Sequence, residues 1–124
     1  MSEPIAVRSG QDTPIAALGR SFDLYEWSGS GPEYLHVHHA DDEAWHVLEG
    51  TLTFRFHDHE LEAPAGTSVF VPAGVAHSYR EAHGPTRYLM ILTPRLRQLI
   101  AALHTTPIEG HAAVMQQFES EIVA

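Results

Sequence analysis

His36-Val37-His38-His39-Ala40-Asp41-Asp42-Glu43 is the stretch whose reading decides this 124-residue chain, and it is answered 34 residues beyond Glu43 by His77, just past Pro72-Ala73-Gly74. Three imidazoles and one carboxylate make a complete set of protein ligands for a divalent ion. The spacing says which backbone carries them. Side chains at i and i+2 of a strand share a face, roughly 6.6 Å apart along it, so His36 and His38 can lean onto one ion while Val37 packs behind them. A helix would have needed His-x-x-x-His instead.

Working outward, Glu43 opens the apolar run Ala44-Trp45-His46-Val47-Leu48, which stops at Glu49-Gly50. This reads as the next strand, reached through the acidic turn Asp41-Asp42 and left through a glycine turn. Downstream, Thr67-Ser68-Val69-Phe70-Val71 is a short strand ended by Pro72. Proline removes a ladder donor, and glycine supplies the positive φ a tight reversal needs. His77 is thereby delivered at the start of another strand.

Two ordered motifs emerge. The first is His36-x-His38, four residues, Glu43, six residues, Gly50; the second is Gly66, five residues, Pro72-x-Gly74, two residues, His77; fifteen residues separate them. In order and spacing they resemble the two motifs of a small single-domain cupin of quercetinase-like type, over roughly residues 20–93. Two positions depart from that pattern: the leading glycine falls one residue early, at Gly31, or two residues further back, at Gly29, and Glu81 stands where the second motif closes on Asn. The resemblance implies a jelly-roll barrel with His36, His38, Glu43 and His77 as ligands of one divalent metal ion, Fe(II) or Mn(II) first, with Ni, Zn, Co or Cu as alternatives.

Length and composition set the outer bounds. A chain of 124 residues is expected to form one domain over 1–124. The absence of cysteine excludes disulfides and thiolate ligands, so any metal must take N and O donors. A net charge of −9 repels nucleic acid and anionic membranes, and no apolar run approaches the roughly 20 residues of a membrane span. Met1-Ser2-Glu3-Pro4 shows no basic segment followed by an apolar block, which points to a cytoplasmic protein.

Strand-like segments follow one another at 5–8, 22–27, 34–38, 44–48, 51–56, 61–63, 68–71, 77–79 and 87–93, with Gly or Pro in nearly every gap. This is the rhythm of an all-β, antiparallel barrel over about 5–93. Leu52, Phe54 and Phe56 alternate onto its core face. After Thr93 the period becomes helical: Pro94 suits a first helical position, and Leu96, Leu99, Ile100 and Leu103 recur on one face. Thr106-Pro107-Ile108-Glu109 has the form of a capping box, predicting a second helix with the stripe Ile108, Ala112, Met115, Phe118 and Ile122. Both short helices are expected to lie on the barrel exterior or at a dimer contact, and a homodimer is expected.

Tyr34, Trp45, Val47 and Tyr79 stand at even offsets from a ligand and are the expected substrate-pocket residues. His39 and His46 stand at odd offsets and should face away. His57-Asp58-His59 falls in a turn; His83, His104 and His111 are expected at the surface, and Asp41, Asp42 and Glu62 as solvated charges. Glu81 is either a carboxylate supporting the site or a general base, or else a surface charge. Four ligands leave two coordination positions free for a small-molecule substrate or a substrate oxygen plus dioxygen, with Glu43 the residue on which catalysis turns. The expected activity is a quercetinase-like dioxygenase acting on a small enolic or aromatic compound. A non-oxidative isomerase, cyclase or lyase and a non-catalytic ligand sensor are the alternatives.

Overall fold

The computed structural model describes Pro4, Ala6 and residues 15–124, so the expected strand at 5–8 lies outside the described residues. The ordered elements are β1 (Ala16–Ala17), β2 (Asp23–Trp27), β3 (His36–His38), β4 (Glu43–Glu49), β5 (Thr51–Arg55), β6 (Glu60–Pro64), β7 (Ser68–Val71), β8 (Ser78–Glu81), β9 (Arg87–Leu92), α1 (Pro94–His104), α2 (His111–Gln117) and β10 (Ser120–Ile122). Every pairing is antiparallel. One sheet runs β1-β2-β9-β4-β7, a second β6-β5-β8, and β10 pairs with β3.

Burial follows the alternation that the sequence carries. Trp45 and Val47 point inward from β4, Leu52 and Phe54 from β5, Val69 and Val71 from β7, and Tyr88, Met90 and Leu92 from β9, meeting in one apolar core between the sheets. The all-β jelly-roll expectation holds, with the helices following the barrel strands.

α1 begins where Pro94 predicts. Thr93 caps it, its hydroxyl accepting from Leu96 N at 3.1 Å, and Leu96, Leu99 and Leu103 are buried. Two ion pairs bind the helix to the barrel: Arg97 Nε to Asp23 at 2.6 Å and Arg95 to Asp41 at 2.9 Å. Asp41 is therefore buried, not solvated, because its carboxylate serves Arg95 and the Thr93 hydroxyl together.

The chain after Thr105 departs from expectation. Thr106 donates its hydroxyl to Ala102 O at the end of α1 and caps nothing downstream. Residues 108–110 form a 3-10 turn in place of a helix start, α2 is only seven residues long, and of the predicted stripe only Met115 is fully buried. Glu119 then takes a positive φ of 53° and turns the chain into β10, so Ile122 lies in a strand. No helix among the described residues is long and apolar enough to cross a membrane.

Candidate metal centre

β3 and the residue after the Pro72 turn carry the histidines. Val75 N donates to Pro72 O, Gly74 holds φ at +91°, and Gly74 N donates to His38 O at 2.8 Å. The turn is thus pinned to β3, and glycine is required there because an L side chain is strained at that φ. His77 consequently lands opposite His36, the two exchanging backbone hydrogen bonds of 3.1 and 2.9 Å. Residues paired in this way project side chains to the same face.

The imidazoles of His36, His38 and His77 converge, each offering a ligand atom within 4.8 Å of the others. Glu43, on the inward face of β4, brings Oε1 to 3.1 Å from His77 Nε2 and 3.4 Å from His38 Nε2. All four are buried. Burial, then the neighbouring His77 and His38, lower the His36 imidazole to about 3, so it is neutral at physiological pH. Burial would raise the Glu43 carboxyl, but hydrogen bonds and charge from His38 and His77 outweigh it and hold Glu43 below its ordinary value.

The opposite edge of each ring shows how the donors are oriented. His77 Nδ1 donates to Val75 O at 3.0 Å, and His36 Nδ1 faces Tyr34 O at 3.4 Å. His38 Nδ1 lies 2.8 Å from Ser120 Oγ, whose own hydrogen goes to Phe118 O at 3.1 Å. With every Nδ1 turned to an oxygen, each Nε2 is aimed at the cluster, where the contacts of His77 and His38 with Glu43 Oε1 can be exchanged for an ion bound through the Nε2 lone pairs. Three imine nitrogens and a carboxylate gathered away from water are costly without a cation and favourable around one, so these residues fit a divalent ion bound through N and O.

A cavity of about 330 Å³ opens at the cluster. Tyr34, Trp45 and Tyr79 line it as expected, beside His36, His38 and Glu43. Val47 does not: two residues further along β4, it is fully buried in the apolar core beyond the cavity wall. Gly31 makes room for Tyr79, since a Cβ there would stand 2.5 Å from its ring. Burial pushes the Tyr79 phenol up to about 12, and its oxygen lies 3.1 Å from that of Tyr88, whose hydroxyl donates to Gly29 O.

Much of the remaining wall comes from the C-terminal helices, through Leu96, Leu99, Ile100, Leu103 and Met115. Those helices close the cavity with the apolar stripe that the sequence assigned to the barrel exterior. His111 corrects a surface assignment. It lines the cavity, accepting the Tyr34 hydroxyl hydrogen on Nδ1 at 2.9 Å and donating Nε2–H to Thr106 O at 2.9 Å. His104 also borders the cavity while remaining exposed, stacked 5.3 Å from Trp27.

The other candidates lie elsewhere. His39 pairs with Glu121 and His46 with Ser68, both away from the cluster, and His57-Asp58-His59 is an exposed turn. Exposed Asp42 accepts from Ala73 N, helping to seat the Pro72 turn. Glu81 accepts from Thr86 N and its hydroxyl, both at 2.8 Å, and so closes the 82–85 turn; it supports that loop and not the metal cluster. Ser120, Asp41 and the inward role of His111 were missed. Each depends on a partner tens of residues away, and no local spacing signals it.

Comparison with known proteins agrees with this geometry. The chain is 32% identical over 76 residues to quercetin 2,3-dioxygenase of Bacillus subtilis, covering 61% of this chain and 23% of that protein. It is 32% identical over 56 residues to an uncharacterized protein of Streptomyces coelicolor, covering 45% of this chain and 53% of the relative. The chain therefore spans about a quarter and about half of these relatives' lengths. Among solved structures, a cupin-2 domain containing protein from Shewanella frigidimarina superposes with a TM-score of 0.56 at 26% identity, over 68% of this chain and 82% of that one. A putative sugar phosphate isomerase from Acidithiobacillus ferrooxidans gives 0.53 at 25%, over 60% and 51%. The family model Cupin_2 (cupin domain) matches residues 25–92, more than half of the chain and all four clustered side chains, and the chain therefore belongs to the cupin family.

Proposed function

We propose that this cupin is a metal-dependent enzyme, a quercetinase-like dioxygenase acting on a small enolic or aromatic compound. The observation that carries the reading is the convergence of His36, His38 and His77 beside Glu43 at a largely apolar cavity. One divalent ion would be held by the three Nε2 atoms and a Glu43 oxygen. When bound, it supplies a Lewis acid for a substrate oxygen and, if redox-active, a site for dioxygen.

The chain's own groups account for binding and orientation. Leu96, Leu99, Leu103 and Met115 offer an apolar ring a dry wall. Tyr34 spends its hydrogen on His111 Nδ1, which leaves its oxygen free to accept a substrate hydroxyl and turn it toward the cluster. The seven basic residues are all arginine, and none lines the cavity among the described residues. A phosphorylated substrate would find no cationic partner there, which weighs against the chemistry named for the isomerase-like neighbour.

Metal analysis of tag-free protein, followed by turnover of flavonol, catechol and enol substrates under air and under nitrogen, tests the reading. Turnover confined to air is expected. Equal turnover in both gases would point to a Lewis-acid isomerase, cyclase or lyase, and no turnover of any substrate to a ligand-binding role. Losing one of four ligands, His38→Ala should lose metal and activity together; full activity in that variant would overturn the proposed ligand set. Tyr34→Phe should raise KM by about fivefold, the loss of one hydrogen bond, and leave the metal content unchanged.

A further inference from the structure

β10 lies outside the stretch 25–92 that matches the family model, yet it is laced to the strand bearing two of the histidines. Ser120 stands opposite His38 and Ile122 opposite His36, and the ladder is extended by His39 N to Glu119 O at 2.9 Å and Val123 N to Leu35 O at 2.9 Å. This pairing directs the Ser120 side chain, only 3% exposed, onto the outer edge of the His38 ring. The three histidines are not supported alike. His36 and His77 each lean on a backbone carbonyl two residues away, whereas His38 leans on a side chain 82 residues distant.

Building on the metal-centre reading, we propose that Ser120 is a positioning residue of that centre, holding His38 in the Nδ1–H tautomer so that Nε2 presents a lone pair. With its hydrogen on Phe118 O at 3.1 Å, the hydroxyl accepts from His38 Nδ1–H at 2.8 Å, so both of its contacts are satisfied in that tautomer. Without it, a buried Nδ1–H is left unsatisfied, and the ring gains by moving its proton to Nε2, where Glu43 Oε1 waits at 3.4 Å. That tautomer has no lone pair for an ion and ties up the carboxylate as well. The C-terminal strand thus belongs to the metal centre.

The test compares Ser120→Val with Ser120→Thr, two side chains of equal shape that differ in the hydroxyl. Mn(II) and Zn(II) affinities are measured by chelator competition, alongside the melting temperature and the histidine 15N spectrum of each metal-free protein. Ser120→Val should weaken both ions by about 10- to 100-fold, the effect of losing a ligand's hydrogen-bond partner, while Ser120→Thr restores binding. The His38 signal should shift from Nδ1–H in the wild type to Nε2–H in Ser120→Val. Equal affinities in all three proteins, or equal weakening in both variants, would overturn the inference while leaving the metal centre standing. A wild type that binds neither ion would overturn the metal centre itself. Should Ser120→Val fail to fold, the wild-type spectrum still decides, since an Nε2–H tautomer at His38 refutes the proposal.

Discussion

His36 shows how a single buried imidazole couples this site to pH. The folded chain keeps it neutral down to about pH 3, whereas the unfolded chain protonates it near pH 6.5. Between those values the unfolded state binds the extra proton, so stability is fully present above about pH 6.5 and is lost progressively as pH falls toward 3. The depressed Glu43 carboxyl acts in the same direction at lower pH. Metal-free protein should therefore lose stability steadily between pH 7 and pH 4, by on the order of a few kcal/mol, and melt at correspondingly lower temperature. Calorimetry finding a flat profile would contradict the burial argument. Glu43→Gln keeps shape and removes charge; it should abolish turnover while some metal is retained, as read by activity beside metal content.

α1 is the element on which cavity and core both depend. Its apolar face is shared between the two, and it is held by the Thr93 cap and by buried Asp23 and Asp41. Asp23 is completely buried while Arg97 is about one-third exposed. Removing the carboxylate leaves an arginine that water can still reach, so the loss is that of charged hydrogen bonds and not of a stranded buried charge. Asp23→Ala should destabilise by about 1.5–3 kcal/mol in chemical denaturation, and Thr93→Ala by about 1 kcal/mol. Because Leu96, Leu99 and Leu103 ride on this helix, Asp23→Ala should also raise KM for whatever substrate the cavity takes. An unchanged denaturation midpoint would show that the ion pair contributes nothing net.

For the whole molecule, a metal bound only by the folded chain adds RT ln(1 + [L]/Kd). That amounts to about 2.7 kcal/mol at a hundredfold excess over Kd, or roughly 10 °C in melting temperature for a domain of this size. Chelation followed by thermal melting should remove that increment, and readdition of metal should restore it. No change in either direction would argue against occupancy of the cluster under those conditions.

Much of the architecture was legible because it rests on short-range rules. His36-x-His38 shares a strand face, Gly74 permits one kind of turn, Leu52 and Phe54 alternate, and Pro94 starts a helix; each follows from a few neighbouring residues. The segment after Thr105 was not legible for the same reason. Its helical spacing through Ile122 is real, but the backbone groups of Leu35 and His39 along β3 need partners, and the tertiary fold supplies them from residues 119–124. Satisfying buried backbone groups outweighs a weak local helical preference. The same long-range closure places Ser120 behind His38, Asp41 beneath Arg95 and His111 against Tyr34. The amino-acid order by itself determined which side chains share the candidate metal centre. Only the closed barrel decided what supports them, because those contacts join residues that nothing but tertiary packing brings together.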